Sequence, residues 1–234
     1  MSIFSKETSV SSDTRLQWTK GLRDHFFDVY AGVRFTSFAF DDNEPQGQYA
    51  SAGNDKTPNI STNMDFVDAT GADDAWRSLT WYANIDYNYQ QRFLAQPSFA
   101  FESSSRFGKE SSGVKLGGVR WGMFPSLQLG WAISNERWFP RNSVVNYLLL
   151  KAGYDISGND DISNYAARTS FGVTKYLYRS IAAVLDNIGN ESISWEQTGK
   201  ANVGLKAWLL GNRLGIDFDY YMHHTSNLLT LKSF

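Results

Sequence analysis

From Trp81 to Gln90 the chain alternates without a miss: Trp81, Ala83, Ile85, Tyr87 and Tyr89 fall on one side, and Tyr82, Asn84, Asp86, Asn88 and Gln90 on the other. Successive side chains of a strand point to opposite faces, so one face is apolar and aromatic and the other wet. A segment of this length and pattern suits a transmembrane β-barrel, whose strands put lipid on one side and a polar lumen on the other.

The pattern recurs. Val29, Ala31, Val33 and Phe35 alternate with Asp28, Tyr30, Arg34 and Thr36, and Phe93, Ala95, Phe99 and Phe101 oppose Gln96, Ser98 and Glu102. Leu127, Leu129, Trp131 and Ile133 oppose Ser126, Gln128, Gly130 and Ser134; Leu148, Leu150, Ala152, Tyr154 and Ile156 oppose Lys151, Gly153 and Asp155. Ala201, Val203, Leu205, Ala207 and Leu209 oppose Lys200, Asn202, Gly204 and Lys206, and Leu214, Ile216, Phe218, Tyr220 and Met222 oppose Arg213, Asp217, Asp219 and Tyr221. A weaker strand over residues 14–20 sets Leu16 and Trp18 against Arg15, Gln17 and Thr19. Slipping any register by one residue would move charges onto the lipid face, at roughly 2–4 kcal/mol each at mid-bilayer. A soluble β-sandwich also alternates, but these segments exceed its usual strand of about five to six residues.

Composition fits. Aromatic residues make up 15% of the chain while the mean hydropathy is -0.39, as expected when a polar lumen and loops offset an aromatic exterior. No run approaches the ~20 apolar residues of a membrane helix. There is no cysteine, which excludes a disulfide scaffold and a cysteine-ligated metal. A net charge of -2 gives no reason to expect nucleic acid as a partner.

The connections come in two lengths. Short turns at residues 21–24, 90–92 and 210–212, with a longer one at 135–146, are expected on the periplasmic side; residues 40–76, 103–118 and 157–194 are expected as extracellular loops. Trp18, Tyr89, Phe93 and Trp131 near the short turns, and Trp81, Phe101, Tyr154 and Trp195 near the long loops, suit two interfacial girdles. The count is about eight strands.

Several stretches go further. Tyr87-Asn88-Tyr89-Gln90-Gln91-Arg92-Phe93-Leu94, Ser103-Ser104-Ser105-Arg106-Phe107-Gly108 and Trp121-Gly122-Met123-Phe124-Pro125-Ser126 lead into Leu129-Gly130-Trp131. They continue with residues 150–159, Ile162-Ser163-Asn164-Tyr165, Ser194-Trp195-Glu196-Gln197-Thr198, Asn212-Arg213-Leu214 and Asp219-Tyr220-Tyr221. In order and spacing they resemble the barrel of SusC/RagA-like TonB-dependent transporters, outer-membrane channels that import glycans or peptides beneath a SusD-like lipoprotein lid. The match runs over residues 81–229; the first eighty residues fit only as generic barrel.

The resemblance implies an all-β fold: antiparallel transmembrane strands over residues 1–234, about eight of a barrel of roughly 22, with long extracellular loops and no plug domain in this chain. Residues 1–6 show no apolar core or small-residue cleavage site. The export signal, the N-terminal extension that meets TonB, the plug and the remaining strands are therefore expected outside this chain. Partners are the rest of the barrel and its plug, a SusD-like surface lipoprotein, TonB through that N-terminal part, and the lipid of a Gram-negative outer membrane. The other reading is a small self-contained barrel, either a passive pore or an attachment protein.

Lumen-facing charge is expected at Arg34, Asp86, Glu102, Lys151, Asp155, Glu196, Lys200, Lys206, Asp217 and Asp219, pairing across strands or meeting the plug. Arg106, Trp121 and Trp195, at the loop bases, are the candidates to stack on or hydrogen-bond a sugar. Girdle or loop packing explains each of them equally well. Only three histidines, His25, His223 and His224, are available, and adjacent residues on a strand point apart, so neither hydrolytic nor metal chemistry is expected. Residues 41–44 and 155–161 carry enough oxygen for Ca²⁺, but the second lacks the spacing of an EF-hand, and a solvated turn is the default reading. Gly117-Gly118 reads as a turn.

Overall fold

The computed structural model describes residues 4–48, 65–140, 144–176 and 180–230. The elements are β1 (Phe4–Leu22), β2 (His25–Gln48), β3 (Asp65–Tyr89), β4 (Phe93–Ser104), β5 (Val114–Leu116), β6 (Val119–Ala132), a 3-10 turn (Ile133–Asn135), β7 (Val145–Asn159), β8 (Ser170–Tyr176), β9 (Ser180–Asn187), β10 (Glu196–Leu209) and β11 (Leu214–Ser226). Eight strands pair in the order β1-β2-β3-β4-β6-β7-β10-β11, every pair antiparallel; β5 pairs with β6, and β8–β9 form a separate hairpin. Among the described residues no helix is long and apolar enough to cross a membrane.

Register fixes the two faces. Directly opposed residues share a face, so the ladder Arg15–Gly32–Tyr82–Ala100–Phe124 and the ladder Gln128–Gly153–Asn202–Tyr221 belong to one side. That side carries all ten expected lumen charges. The other carries Leu16, Trp18, Trp81, Ile85, Phe99, Leu127, Leu129, Tyr154, Val203, Phe218 and Tyr220, all exposed.

An accessible surface of 17177 Å² compares with about 10,600 Å² for a folded monomer of 26.4 kDa. The excess is what an open sheet leaves when its apolar face meets no second layer of protein. Buried apolar side chains are correspondingly few among the described residues: Trp121, Ala132, Ala167, Trp195 and Ala207.

At the short-turn end an aromatic row crosses four strands on the apolar face, His25 to Tyr89 (4.8 Å), Tyr89 to Phe93 (6.4 Å) and Phe93 to Trp131 (6.4 Å). The turn between β3 and β4 places Gln90 and Gln91 at φ 51° and 56°, the left-handed pair that joins twisted strands tightly. The adjoining 3-10 turn is tied to it: Glu136, buried, accepts from the Trp131 indole N–H (2.9 Å) and pairs with Arg92, while Asn135 Nδ2 donates to the Gln91 carbonyl (2.6 Å). Arg92 first, then the indole, holds the Glu136 carboxyl below the usual carboxylate range.

Three sequence expectations change. Residues 40–76 do not form a loop at either end: β2 runs on to Gln48 and β3 starts at Asp65, with Phe40 opposite Asp74 and Asp42 opposite Ala72. The 24 and 25 residues of these strands exceed the roughly 9–11 that cross a bilayer. Toward these far ends the apolar–polar alternation of the sequence fades, as at Asp41-Asp42 and Asp73-Asp74, although the ladder continues. The weak strand at 14–20 is the middle of a 19-residue one, for the same reason. Residues 157–194 contain the β8–β9 hairpin.

Candidate functional site

The long-loop end of the polar face is where the motif residues converge. After β4 the chain turns through Arg106, whose Nε donates to Asn164 Oδ1 (2.6 Å) and whose Nη1 donates to the Asp160 carbonyl (3.0 Å) and pairs with its carboxylate (3.3 Å). The guanidinium lies 4.3 Å above the Trp76 ring, a cation–π seat on the extended part of β3. Asn164 in turn donates to Asp74 (2.7 Å). Arg106 thus links β3, the loop after β4 and the loop after β7, and four of its bonding and stacking directions are filled.

Trp195 is 1% exposed. Its ring packs on Phe107 (4.1 Å) and edge-on to Phe124 (6.2 Å), and it reaches the sheet because Gly122 has no side chain: a Cβ there would stand 2.8 Å from Phe124 and 3.1 Å from Trp195. Its indole N–H faces the Glu102 carboxyl without closing a hydrogen bond. Loop 105–113 lies against residues 188–195 backbone to backbone. Glu110 N–H donates to the Glu191 carbonyl (3.1 Å), Ser112 and Ser194 share a hydroxyl hydrogen bond, and a Cβ on Gly108 would sit 2.2 Å from the Glu191 carbonyl oxygen. Trp195 is therefore the centre of a packed loop base on the polar face and does not belong to the aromatic girdle.

Trp121 lies on the opposite face. It stacks on Phe101 (4.9 Å, interplanar 7°) and donates to the Leu116 carbonyl (3.3 Å). Of the three candidate contact residues, Arg106 and Trp195 share the mouth of the polar face, and Trp121 is separated from them by the sheet.

Further down, the polar face is cross-linked. Arg34 pairs with Asp13 (2.9 Å), Lys200 with Asp155 (3.8 Å), and Lys206 with Asp217 (3.9 Å). Lys151 bonds Asp217 (2.9 Å) and Asp219 (3.0 Å), two strands away, by passing over Gly204, which stands directly opposite both Lys151 and Asp219. A Cβ on Gly204 would lie 2.0 Å from Asp219 Oδ1 and 2.9 Å from Lys151 Cε. Tyr82 crosses Gly32 in the same way to donate to Asp13. Asp86 stands opposite Asp28, which accepts from Gln17 and Thr19. Glu196 accepts from the Leu229 N–H (3.3 Å).

Sequence spacing missed Trp76, Asp74, Asp160 and Asn164, because partners 30 to 90 positions apart meet only once the strands are in register. Trp121 carried a usable signal: counting back by twos from Trp131, Leu129 and Leu127 puts it outward. Among the described residues no cluster of three or more acidic or histidine side chains could hold a metal ion. Asp41 and Asp42 are consecutive on β2, Asp155 is paired with Lys200 and Asp160 with Arg106.

No family model matches the chain. It is similar to the TonB-dependent receptor P39 of Formosa agariphila, 32% identical over 165 residues, covering 70% of this chain and 15% of that protein. It is also similar to the TonB-dependent receptor SusC of Bacteroides thetaiotaomicron, 30% identical over 163 residues, covering 64% of this chain and 15% of the receptor. The RagAB peptide importer in its closed-closed state matches in fold with a TM-score of 0.79 at 20% identity, over 95% of this chain and 24% of that one. The structural likeness thus extends into the first eighty residues. The chain spans about 15% of the length of these two receptors, and its open sheet is a stretch of their kind of barrel wall.

Proposed function

We propose that this chain, homologous to the SusC/RagA-like TonB-dependent receptors over a stretch of their barrel, forms part of the barrel wall of an outer-membrane importer of glycans or peptides in a Gram-negative bacterium. The observation that carries the reading is a sheet with two different faces, apolar and uncovered outside, cross-linked by charge inside, together with 32% identity to a TonB-dependent receptor. The wall holds the lumen open. The Lys151–Asp217–Asp219 and Arg34–Asp13 bridges stiffen it where a plug would press, and the hollow lined by Asp13, Arg15, Tyr30, Arg34 and Tyr82 offers that plug cations stacked on tyrosines.

At the mouth, the base built by Arg106 and Trp195 carries the loops that would face cargo and a SusD-like lipoprotein lid. Import is driven by TonB acting on the plug with inner-membrane proton-motive force, and no step breaks a covalent bond, so the protein is not an enzyme. Uptake of a fluorescent glycan or peptide by cells, with and without a protonophore, tests this. Energised uptake that is lost on deleting the gene supports it; uptake insensitive to the protonophore would favour the passive pore.

A further inference from the structure

The β5–β6 hairpin belongs by position to the extracellular loops, yet it is two-faced. It turns through Gly117 and Gly118 at φ 61° and 80°, both in the left-handed region that makes a two-residue hairpin tight. Val114 stands opposite Trp121 and Leu116 opposite Val119, so these four share one face, while Lys115 and Arg120 share the other. Arg120 is turned inward, donating to the Lys109 and Gly113 carbonyls (3.3 Å each). Val114, Leu116 and Val119 are 45%, 60% and 48% exposed, a high share for β-branched and leucine side chains in a loop surrounded by water.

This apolar face continues the outer belt without a break. Trp121 is stacked on Phe101, and the next outward residue of β6, Met123, stands opposite Phe101 and is exposed. From Trp131 in the lower aromatic row to Trp121 is ten residues along one strand. At about 3.3 Å each and a tilt near 40° that is roughly 25 Å of height, the thickness of a barrel's apolar band. The hairpin therefore begins at the upper rim of the band, and its tip stands roughly 10 Å beyond it, at the level of lipid headgroups.

We propose that the β5–β6 hairpin is a lipid-seated wing: its Val114, Leu116 and Val119 face rests in the outer leaflet, at the boundary of acyl chains and headgroups, as an extension of the barrel's lipid contact. The inference rests on the barrel-wall reading. It gives the loop base beneath Arg106 and Trp195 a fixed outer support, since residues 105–113 are strung between that base and the hairpin.

Nitroxide labels on Leu116→Cys, Lys115→Cys and Leu129→Cys test it in the full-length protein, reconstituted in phosphatidylethanolamine–phosphatidylglycerol vesicles. Collision with lipid-soluble oxygen and with a water-soluble nickel chelate is read at each label. The proposal expects an oxygen-to-nickel ratio several-fold higher at 116 than at 115, approaching that at 129 in the belt. Equal, nickel-dominated values at 116 and 115 would put the hairpin in water and overturn it. Low access to both reagents at 116 would mean that protein, a lid or a second copy, covers the face, and would also overturn it. In both of those cases a lipid-exposed 129 leaves the barrel wall standing; a water-exposed 129 would overturn the wall and the wing together.

Discussion

Replacing Trp195 with alanine removes the one large apolar side chain that is almost wholly enclosed among the described residues. Phe107 at 4.1 Å and Phe124 at 6.2 Å would face a void, and truncations of this kind cost roughly 3–5 kcal/mol. The cost should fall on the loop base and not on the sheet, because Trp195 precedes β10 and its neighbours are loop residues and the start of β6. Divided by about 1.4 kcal/mol per decade, it raises the population of the opened base by roughly two to three and a half decades, up to the limit set by the loops' own stability. Native-state hydrogen exchange reads this directly. In W195A the amides of Glu110, bonded to the Glu191 carbonyl, and Asn190, bonded to the Ala166 carbonyl, should lose protection by at least about a hundredfold. The amides of Asn84 and Gln128, deep in the ladder, should keep theirs. Equal loss at all four, or no change at Glu110, would refute the assignment of Trp195 to a packed loop base.

Gly204→Ala should lower the heat-modifiability midpoint in the native background, where Lys151 and Asp219 close over the glycine, and raise it in a Lys151→Ala/Asp219→Ala background, where alanine's better strand behaviour is what remains; the same sign in both would contradict the crossing. Val203→Arg, on the outer face, should impair assembly in the membrane, at a cost of roughly 2–4 kcal/mol near mid-bilayer, whereas Asn202→Arg, one residue away, should assemble normally in a heat-shift assay. Because the folded pKa of Glu136 is depressed, its contribution is present above the ordinary glutamate pKa and is lost only as pH falls through the lower, folded value. Trp131 fluorescence should therefore report an acid transition below the usual carboxylate range, and Glu136→Gln should abolish it.

The parity of each strand was legible because lipid and lumen impose opposite demands on neighbouring residues, and that alone placed Arg34, Lys151, Asp217 and the rest of the ten charges on one face. Legibility ended where the demand ended. Toward their far ends β2 and β3 lose the alternation, so Phe40, Asp41 and Asp42 read as loop while they remain fully paired. The mouth was half legible: Arg106 and Trp195 stood out by type and motif, but their partners Trp76, Asp160 and Phe124 come from three separate strands or loops. Gly204 and Gly32 carry no sequence mark of their own; what singles them out is the lysine or tyrosine that lies across them.

The most direct test of the central claim, that this sheet is one stretch of a larger transporter wall, is the intact mass of the native membrane species that contains the sequence, taken with its co-purifying partners. A species several times heavier than 26.4 kDa, or this chain held to complementary barrel strands and accompanied by a surface lipoprotein, is the expected result. A heat-modifiable monomer of 26.4 kDa with no partner would contradict it, and would mean a small closed barrel that no TonB-driven plug could serve.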